Sequence, residues 1–477
     1  MASITHKTYN NMKIKSFLLF ALLSIALTIN AQPKYIFYFI GDGMGVVPVI
    51  ATTEWNRTVY NGQRPLTMTQ FPIAGYCTTY SVSGSITDSA AAGTALSTGH
   101  KTINGMLGVT PDSIPVYSMA NVLKDNGYGV GVVTTVFGDD ATPGAFYAHV
   151  PSRKMTYDID NQFIDGKVDF LACANLKGMK DSKGNPTDIK DKYAKNNIKV
   201  VYSLDELAKV DKKSANKIVL IEPNPFNDSN VGFTMDSIPG MLTITQMTQA
   251  CLDNMLEKSP DKFFMMVEGG NIDHALHGND AGTAMTEIYK FDEAIQIAYN
   301  FYLQHPDETL IVITADHDTG GMVIGRDGKY YADFDAINRQ TISKDMLSLD
   351  CKAMITSRSI IRWEDMQEYL TAKLGFWTDV KLSDAQTQRI KEAFDKSFGK
   401  RNEIKDEKTL YASHMGFAVE VYKVLDEVSR ISWATSGHSG NPVPVFAIGK
   451  GAEVFSSLNN NTEIPAKILN LAGYKLY

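Results

Sequence analysis

The chain is 477 residues long, 44% hydrophobic and 21% charged, the composition of an ordinary globular protein. That length allows two or three domains, or one large α/β domain with insertions. A formal net charge of −7, with no long basic tract and no arginine–aromatic interleaving, argues against nucleic acid as a partner.

At the N-terminus, Lys13 and Lys15 precede an apolar run from Phe17 to Ile29, and Asn30-Ala31-Gln32 follows. A positive segment, a short apolar core and a small residue before a cut form the pattern of a secretory signal peptide over residues 1–31. The apolar run falls short of the about 20 residues needed to cross a bilayer. Met12 is an alternative start, because residues 1–11 add nothing to the pattern. No Cys follows the run, so lipid modification is not expected, and no other segment could span a membrane. The expectation is an exported protein, periplasmic or secreted, beginning near Gln32. Four cysteines (Cys77, Cys173, Cys251, Cys351) show neither metal-knuckle spacing nor a dense disulfide framework. Cys77 and Cys251 have the apolar neighbours expected of buried thiols.

The first strong element is Tyr35–Ile40, apolar on both faces and stopped by Gly41-Asp42-Gly43-Met44-Gly45, which reads as a central parallel strand. Next, Thr87-Asp88-Ser89 gives way to the small helix formers from Ala90 to Gly99. Ser89 is therefore expected at or near a helix N-terminus, where an N-cap is the ordinary role and an oxyanion site the functional one. A helix over 118–126 and a strand over 130–135 lead into Gly138-Asp139-Asp140-Ala141-Thr142-Pro143. Residues 155–215 are more polar, read as solvated loops around 178–197, with short strands at 198–202 and 217–221. A helix over 243–258 precedes the strand 263–267, which ends on Glu268 and runs on through Asp273, His274 and His277. A long helix over 280–302 leads to the strand 309–314, ending on Asp316-His317. From about 326 to 430 the texture becomes helical (363–374, 383–398, 414–430), an insertion. Ser436-Gly437-His438 then precedes a last apolar strand, 443–448.

Alternating strands and helices predict an α/β fold: a large central, mainly parallel sheet with helices on both faces, plus the mostly helical insertion. Residues 32–477 are read as one catalytic domain. Ligands of such sheets bind beyond the carboxyl ends of the strands. Asp42, Asp140, Glu268, Asp316 and His317 each follow a strand closely, so they are expected to collect on one edge with Ser89 beside them. Asp273 and His277, four apart, share a helical face. Three imidazoles (His277, His317, His438) with several carboxylates form a zinc-type donor set, and Asp42, Glu268 and Thr142 an oxygen-only set suited to magnesium. Each feature also has an ordinary role: a helical hydrogen bond for Asp273 and His277, a turn cap for Glu268, a tight turn for the glycines around Asp42. Their coincidence at strand ends favours metal, because buried carboxylates gathered without cations repel one another and carry large desolvation costs.

These segments carry a family resemblance. Gly41 to Gly45, Thr87 to Ala91, Asp140 to Pro143 with His149 to Arg153, Val267 to His277, Thr314 to His317 and Ser436 to His438 occur in the order found in alkaline phosphatases. The chain resembles that family, in its exported bacterial type, from residue 35 to about 450. The resemblance implies hydrolysis of phosphate monoesters through a covalent phosphoserine on Ser89. It implies one zinc ion on Asp42, Asp316 and His317 that activates Ser89, and a second on Asp273, His277 and His438 that stabilises the leaving oxygen. Magnesium would be held by Asp42, Thr142 and Glu268, with Asp140 supporting it through water. Arg153 would clamp two phosphate oxygens, the bidentate geometry that guanidinium provides. His274 stands where the family varies, and the Asp140/His274 pair bears on metal retention. Homodimerisation is likewise implied.

Two other readings compete. A phosphodiesterase or sulfatase could share the fold, but no Cys/Ser-x-Pro-x-Arg motif begins at Ser89, and Arg153 with Thr142 and Glu268 favours monoesters. A non-catalytic metal-binding or phosphate-binding protein would keep the ligands, yet metal storage needs neither Ser89 nor Arg153.

Overall fold

The computed structural model describes residues 32–226, 230–357, 361–399 and 405–476. The expected signal peptide lies outside these residues. Tyr35–Ile40 (β1) is buried at every position after Tyr35 and sits near the middle of a ten-stranded sheet. Its companions are Ile73–Thr78 (β2), Gly129–Thr134 (β3), Phe170–Cys173 (β4), Ile198–Val201 (β5) and Lys217–Ile221 (β6). Phe263–Glu268 (β7), Thr309–Thr314 (β8), Val443–Gly449 (β9) and Ser457–Asn460 (β10) complete the sheet. The order is β10-β2-β9-β8-β1-β7-β3-β4-β6-β5. Every pairing is parallel except those of β9, antiparallel to both β2 and β8.

Alternation along β1 explains why an all-apolar strand is stable there. Phe37 and Phe39 face the helix Ala281–Gln304, with ring centroids 5.6 Å from Phe301 and 5.8 Å from Phe291. Tyr38, pointing the other way, meets Phe146 at 6.2 Å. Both faces are covered, so both sets of side chains leave water. One layer contains Val46–Val59 (α1), and the other contains Ser89–Thr98 (α2). Ile244–Lys258 (α3) packs on β3, β4 and β7, and it starts with a full capping box on Thr243 and Gln246. Gly270–His277 (α4) leads into the long helix Ala281–Gln304 (α5), which Asp280 caps. The four cysteines are buried free thiols.

Register brings the functional segments level. Ile40 at the end of β1 pairs with Glu268 on one side and Thr314 on the other, and Glu268 also pairs with Thr134. The reversal of β9 completes the edge. Its first residue, Val443, lies opposite Cys77 near the carboxyl end of β2. His438 precedes its strand while the other ligand candidates follow theirs, yet all reach the same edge.

Two expectations need correction. The clusters around 178–197 are not loops alone, since a helix occupies Ile189–Lys195, and the polar stretch 155–215 also holds the unanticipated helix Thr156–Phe163 and the strand Phe170–Cys173, wholly buried between β3 and β6. Four residues are too short a run for periodicity to separate strand from loop. The region 326–430 is mostly helical as expected, with Lys344–Ser357 (α6), Trp363–Leu374 (α7), Asp384–Phe398 (α8) and Gly416–Ser429 (α9). It also holds a hairpin, Glu407–Lys408 paired with Ser413–His414, that the helical texture concealed.

Gly131 in β3 shows how closely α3 packs, since a Cβ there would overlap the Cys251 sulfur. Gly131→Ala should lower stability by about 1–3 kcal/mol through overpacking. Adding Cys251→Ala should recover part of that loss in a double-mutant cycle read from denaturant midpoints; strictly additive effects would contradict the contact.

Candidate active site

Ser89 is the first residue of α2, and the cap belongs to Asp88, whose Oδ1 accepts the Ala91 N–H at 3.0 Å. The capping role open to Ser89 thus falls one residue earlier. This leaves the Ser89 hydroxyl free of the helix end, buried, and 3.1 Å from His317 Nε2. Unpaired N–H groups and the positive dipole end of α2 surround it.

Two ligand triplets converge beside it. Asp42, Asp316 and His317 offer donor atoms within 4.8 Å of one another, as do Asp273, His277 and His438. His317 Nε2 lies 3.1 Å from Asp316 and 3.4 Å from Asp42, and His277 Nε2 lies 3.3 Å from Asp273. The rings are turned by their second nitrogens. His277 Nδ1 meets the Ser436 carbonyl at 2.6 Å, His438 Nδ1 the Thr87 carbonyl at 2.8 Å, and His317 Nδ1 the Thr319 hydroxyl at 3.2 Å. A carbonyl partner fixes the proton on Nδ1 and leaves Nε2 as a lone-pair donor, the outer-shell arrangement of metal-binding imidazoles. His277 and His438 accordingly face each other Nε2 to Nε2 at 3.2 Å.

The charge pattern of the cluster fits cations. Among the described residues, Asp42 Oδ1, Asp273 Oδ2, Asp316 Oδ2 and Thr142 Oγ1 are buried oxygens that no hydrogen bond satisfies, the carboxylates meeting only the imidazole nitrogens above, a costly state unless something positive sits between them. Burial and the neighbouring Asp316 and Asp273 push the Asp42 carboxyl far up. Burial, then Asp273, raises Asp316 to about 7. Burial raises Glu268 to about 8, although the Thr134 hydroxyl donates to it. Asp273 behaves oppositely: burial would raise it, but His277 holds it well below the usual carboxylate range. Thr142 borders Glu268, so Asp42, Thr142 and Glu268 make an oxygen-only group next to the nitrogen-containing triplets.

Arg153 reaches the site from the opposite side, 3.4 Å from Asp88 and 2.7 Å from Asp140. Burial would raise Asp140, but this guanidinium holds it down to about 2. Asp140 also caps the turn Ala141–Gly144, so its visible task is to fix Arg153 and the Thr142 segment together. Burial lowers His274 to about 4. All twelve candidate residues thus gather at the carboxyl edge of the sheet.

Three residues outside that set also take part. Thr319 donates to Asp273 and approaches His317, linking the triplets. Gly43 has φ +70°, and a Cβ there would come within 2.5 Å of Asp273 Oδ1 and 2.9 Å of Thr319 Oγ1. Its N–H donates to Asp316 at 3.1 Å. Tyr411, from the hairpin in the 326–430 region, stacks on His274 at 3.9 Å between ring centroids and stands edge-on to His277 at 5.3 Å. Gly43 lies inside a ligand motif and carried that signal; Thr319 lies two residues past the Thr314 to His317 motif and Tyr411 is far from any, so neither carried one.

The family model for alkaline phosphatase matches residues 33–474. Alkaline phosphatase 3 of Bacillus subtilis is 30% identical over 457 residues, covering 93% of this chain and 90% of its own. Alkaline phosphatase 4 of the same organism is 29% identical over 441 residues, covering 91% and 87%. The crystal structure of a cold-active alkaline phosphatase from Shewanella superposes with a TM-score of 0.77 at 27% identity, covering 92% of this chain and 99% of that one. With its parallel sheet, its paired ligand triplets and this breadth of similarity, the chain belongs to the alkaline phosphatase family and is a metal-dependent phosphomonoesterase.

Proposed function

We propose that Ser89 is the nucleophile and carries a covalent phosphoserine during hydrolysis of phosphate monoesters to an alcohol and inorganic phosphate. The observation that carries this reading is the Ser89 hydroxyl, freed from capping, 3.1 Å from His317 Nε2 and next to both triplets. Asp42, Asp316 and His317 would hold one zinc ion, Asp273, His277 and His438 a second, and Asp42, Thr142 and Glu268 a magnesium ion. Bound there, the cations supply Lewis acidity and neutralise the charge of the attacking and leaving oxygens.

The chain's own groups do the rest. The start of α2 presents backbone N–H groups to an oxyanion on Ser89. Arg153, kept charged and oriented by Asp140 and Asp88, is placed to pair with two oxygens of the phosphoryl group. Carbonyls of Ser436 and Thr87 keep His277 and His438 aimed inward. Phosphoryl transfer asks mainly for such positioning and charge complementarity. In the covalent step the Ser89 oxygen gives up its proton and bonds to phosphorus as the ester P–O bond breaks, and the leaving oxygen takes up a proton to depart as the alcohol. Water then attacks phosphorus, the Ser89–phosphorus bond breaks, a proton from the water restores the Ser89 hydroxyl, and phosphate leaves. Arg153 and the Thr142–Glu268 group favour monoesters over diesters.

We further infer an exported homodimer. No described helix is long and apolar enough to cross a membrane. Tyr76 and Leu458 pair across β2 and β10 yet are 53% and 66% exposed, and Tyr80 and Val82 beside them are also exposed. A second copy would cover this surface.

Ser89→Ala should reduce monoester turnover at least about a thousandfold, as loss of a nucleophile does, while zinc content by elemental analysis stays normal. Undiminished turnover would remove Ser89 from the chemistry. A phosphodiester that outruns the monoester on the parent protein would overturn the monoester preference. Metal removal should abolish activity and make stability pH-dependent. Stripped carboxyls such as Asp316 and Glu268 hold protons up to about 7 and about 8 that the unfolded chain has released. The folded state then binds more protons between about pH 4 and pH 8, so stability falls as pH rises through that window. Asp426 and Glu287, away from the site, titrate similarly at about 8 and about 7, so the difference in Tm between loaded and chelated protein isolates the cluster. That difference should widen with pH; a constant gap would contradict the assignment. Sedimentation should give twice the chain mass, reduced to one chain by Leu458→Asp with Val82→Asp.

A further inference from the structure

The hairpin at 407–414 is fastened along one helix of the insertion, α6. His414 Nε2 pairs with Asp345 of α6, Lys352 Nζ donates to the Ser413 carbonyl at 3.0 Å, and the Met415 N–H donates to Ser348 at 3.1 Å. On the same helix, Lys344 Nζ donates at 2.9 Å to the carbonyl of Gly278, the residue directly after His277. The insertion and α4 are thereby held as one unit, and the hairpin's turn is held over the ligand edge.

Tyr411 sits in that turn. Its ring lies parallel to His274, with 24° between planes, and presents an edge to His277. Beyond these rings, the charged groups facing it are Asp273, Arg153, Asp140 and Asp42. Arg153 lies near enough to the Tyr411 phenol to couple with it electrostatically, as it does with Asp140 and Asp88. The Tyr411 hydroxyl has no hydrogen-bond partner among the described residues, and the half-buried side chain leaves it open, a donor free for a ligand. A ring could be anchored on His274 by phenylalanine equally well. The oxygen is the unexplained part, and it stands on the Arg153 side of a site built for an anion.

We propose that Tyr411 is a further substrate-binding residue, its hydroxyl donating a hydrogen bond to a phosphoryl oxygen that Arg153 also holds. This rests on the phosphomonoesterase reading above. A neutral donor suits the place, because a second cation would compete with Arg153 for Asp140, whereas a phenol adds an O–H without changing the charge. The stack on His274 fixes the ring, so little side-chain freedom is lost when the bond forms.

The test is Tyr411→Phe, which keeps the stack and removes the oxygen. In the zinc- and magnesium-loaded protein, KM for a monoester and the inhibition constant of inorganic phosphate should both rise about tenfold or more, the scale of a hydrogen bond to a charged group. The kcat should change far less, as expected when binding to substrate and transition state is lost equally. Unchanged KM and phosphate inhibition in Tyr411→Phe would overturn the proposal. So would a loss that appears only in Tyr411→Ala, since the ring alone would then matter. A second arm is independent of turnover: calorimetric phosphate binding to loaded Ser89→Ala, with and without Tyr411→Phe. A weaker affinity in the double variant supports the hydroxyl's role even if the parent fails on monoesters, which would sink only the functional reading.

Discussion

The constraint on which the rest of the site depends is electrostatic. Four parallel strands end level with one another, and each end delivers a carboxylate or an imidazole to a region almost closed to water. Such a cluster cannot remain fully ionised on its own, because burial and mutual repulsion both favour protonation. The raised carboxyls of Asp42, Asp316 and Glu268, and the partnerless oxygens beside them, are two expressions of that tension. Cations resolve it and bring reactivity with them. The structural liability and the catalytic capacity are one feature.

Much of this was legible in the sequence because the relevant signals are local. Doubly apolar strands bounded by glycine betray a covered parallel sheet, and a residue just past such a strand must lie on its carboxyl edge. What stayed hidden depends on the third dimension. Phe170–Cys173 is too short to show a period. The direction of β9 cannot be read from an apolar run, although it decides whether His438 joins the edge or leaves it. Asp88 and Ser89 are equally good caps on paper, and only backbone dihedrals assign the role. Tyr411 lies outside every motif, in a hairpin within helical texture, and acquires meaning only through what it touches.

The insertion is therefore more than an appended layer. Its polar links run from Asp345 to His414 in the hairpin and from the adjacent Lys344 to the carbonyl of Gly278 after His277, so the residues that shape the pocket rim and those that shape the ligand helix share one support. Such polar connections are specific in direction and distance, unlike apolar contacts, and fix the placement of both partners.

The reversed strand β9 also has a consequence for how the molecule comes to exist. It lies inside the sheet, between β2 and β8, but belongs to the last tenth of the chain. During synthesis, the gap between β2 and β8 cannot close until nearly everything else has emerged. Pairings between segments so far apart in sequence are slow to form. His438 arrives with that strand, so the pocket cannot gather its full set of candidate ligands in a partly made chain. Enzymatic competence thus reports completion of the fold, and the β2 and β8 edges that wait for β9 are where an incomplete chain is most open to mispairing with another.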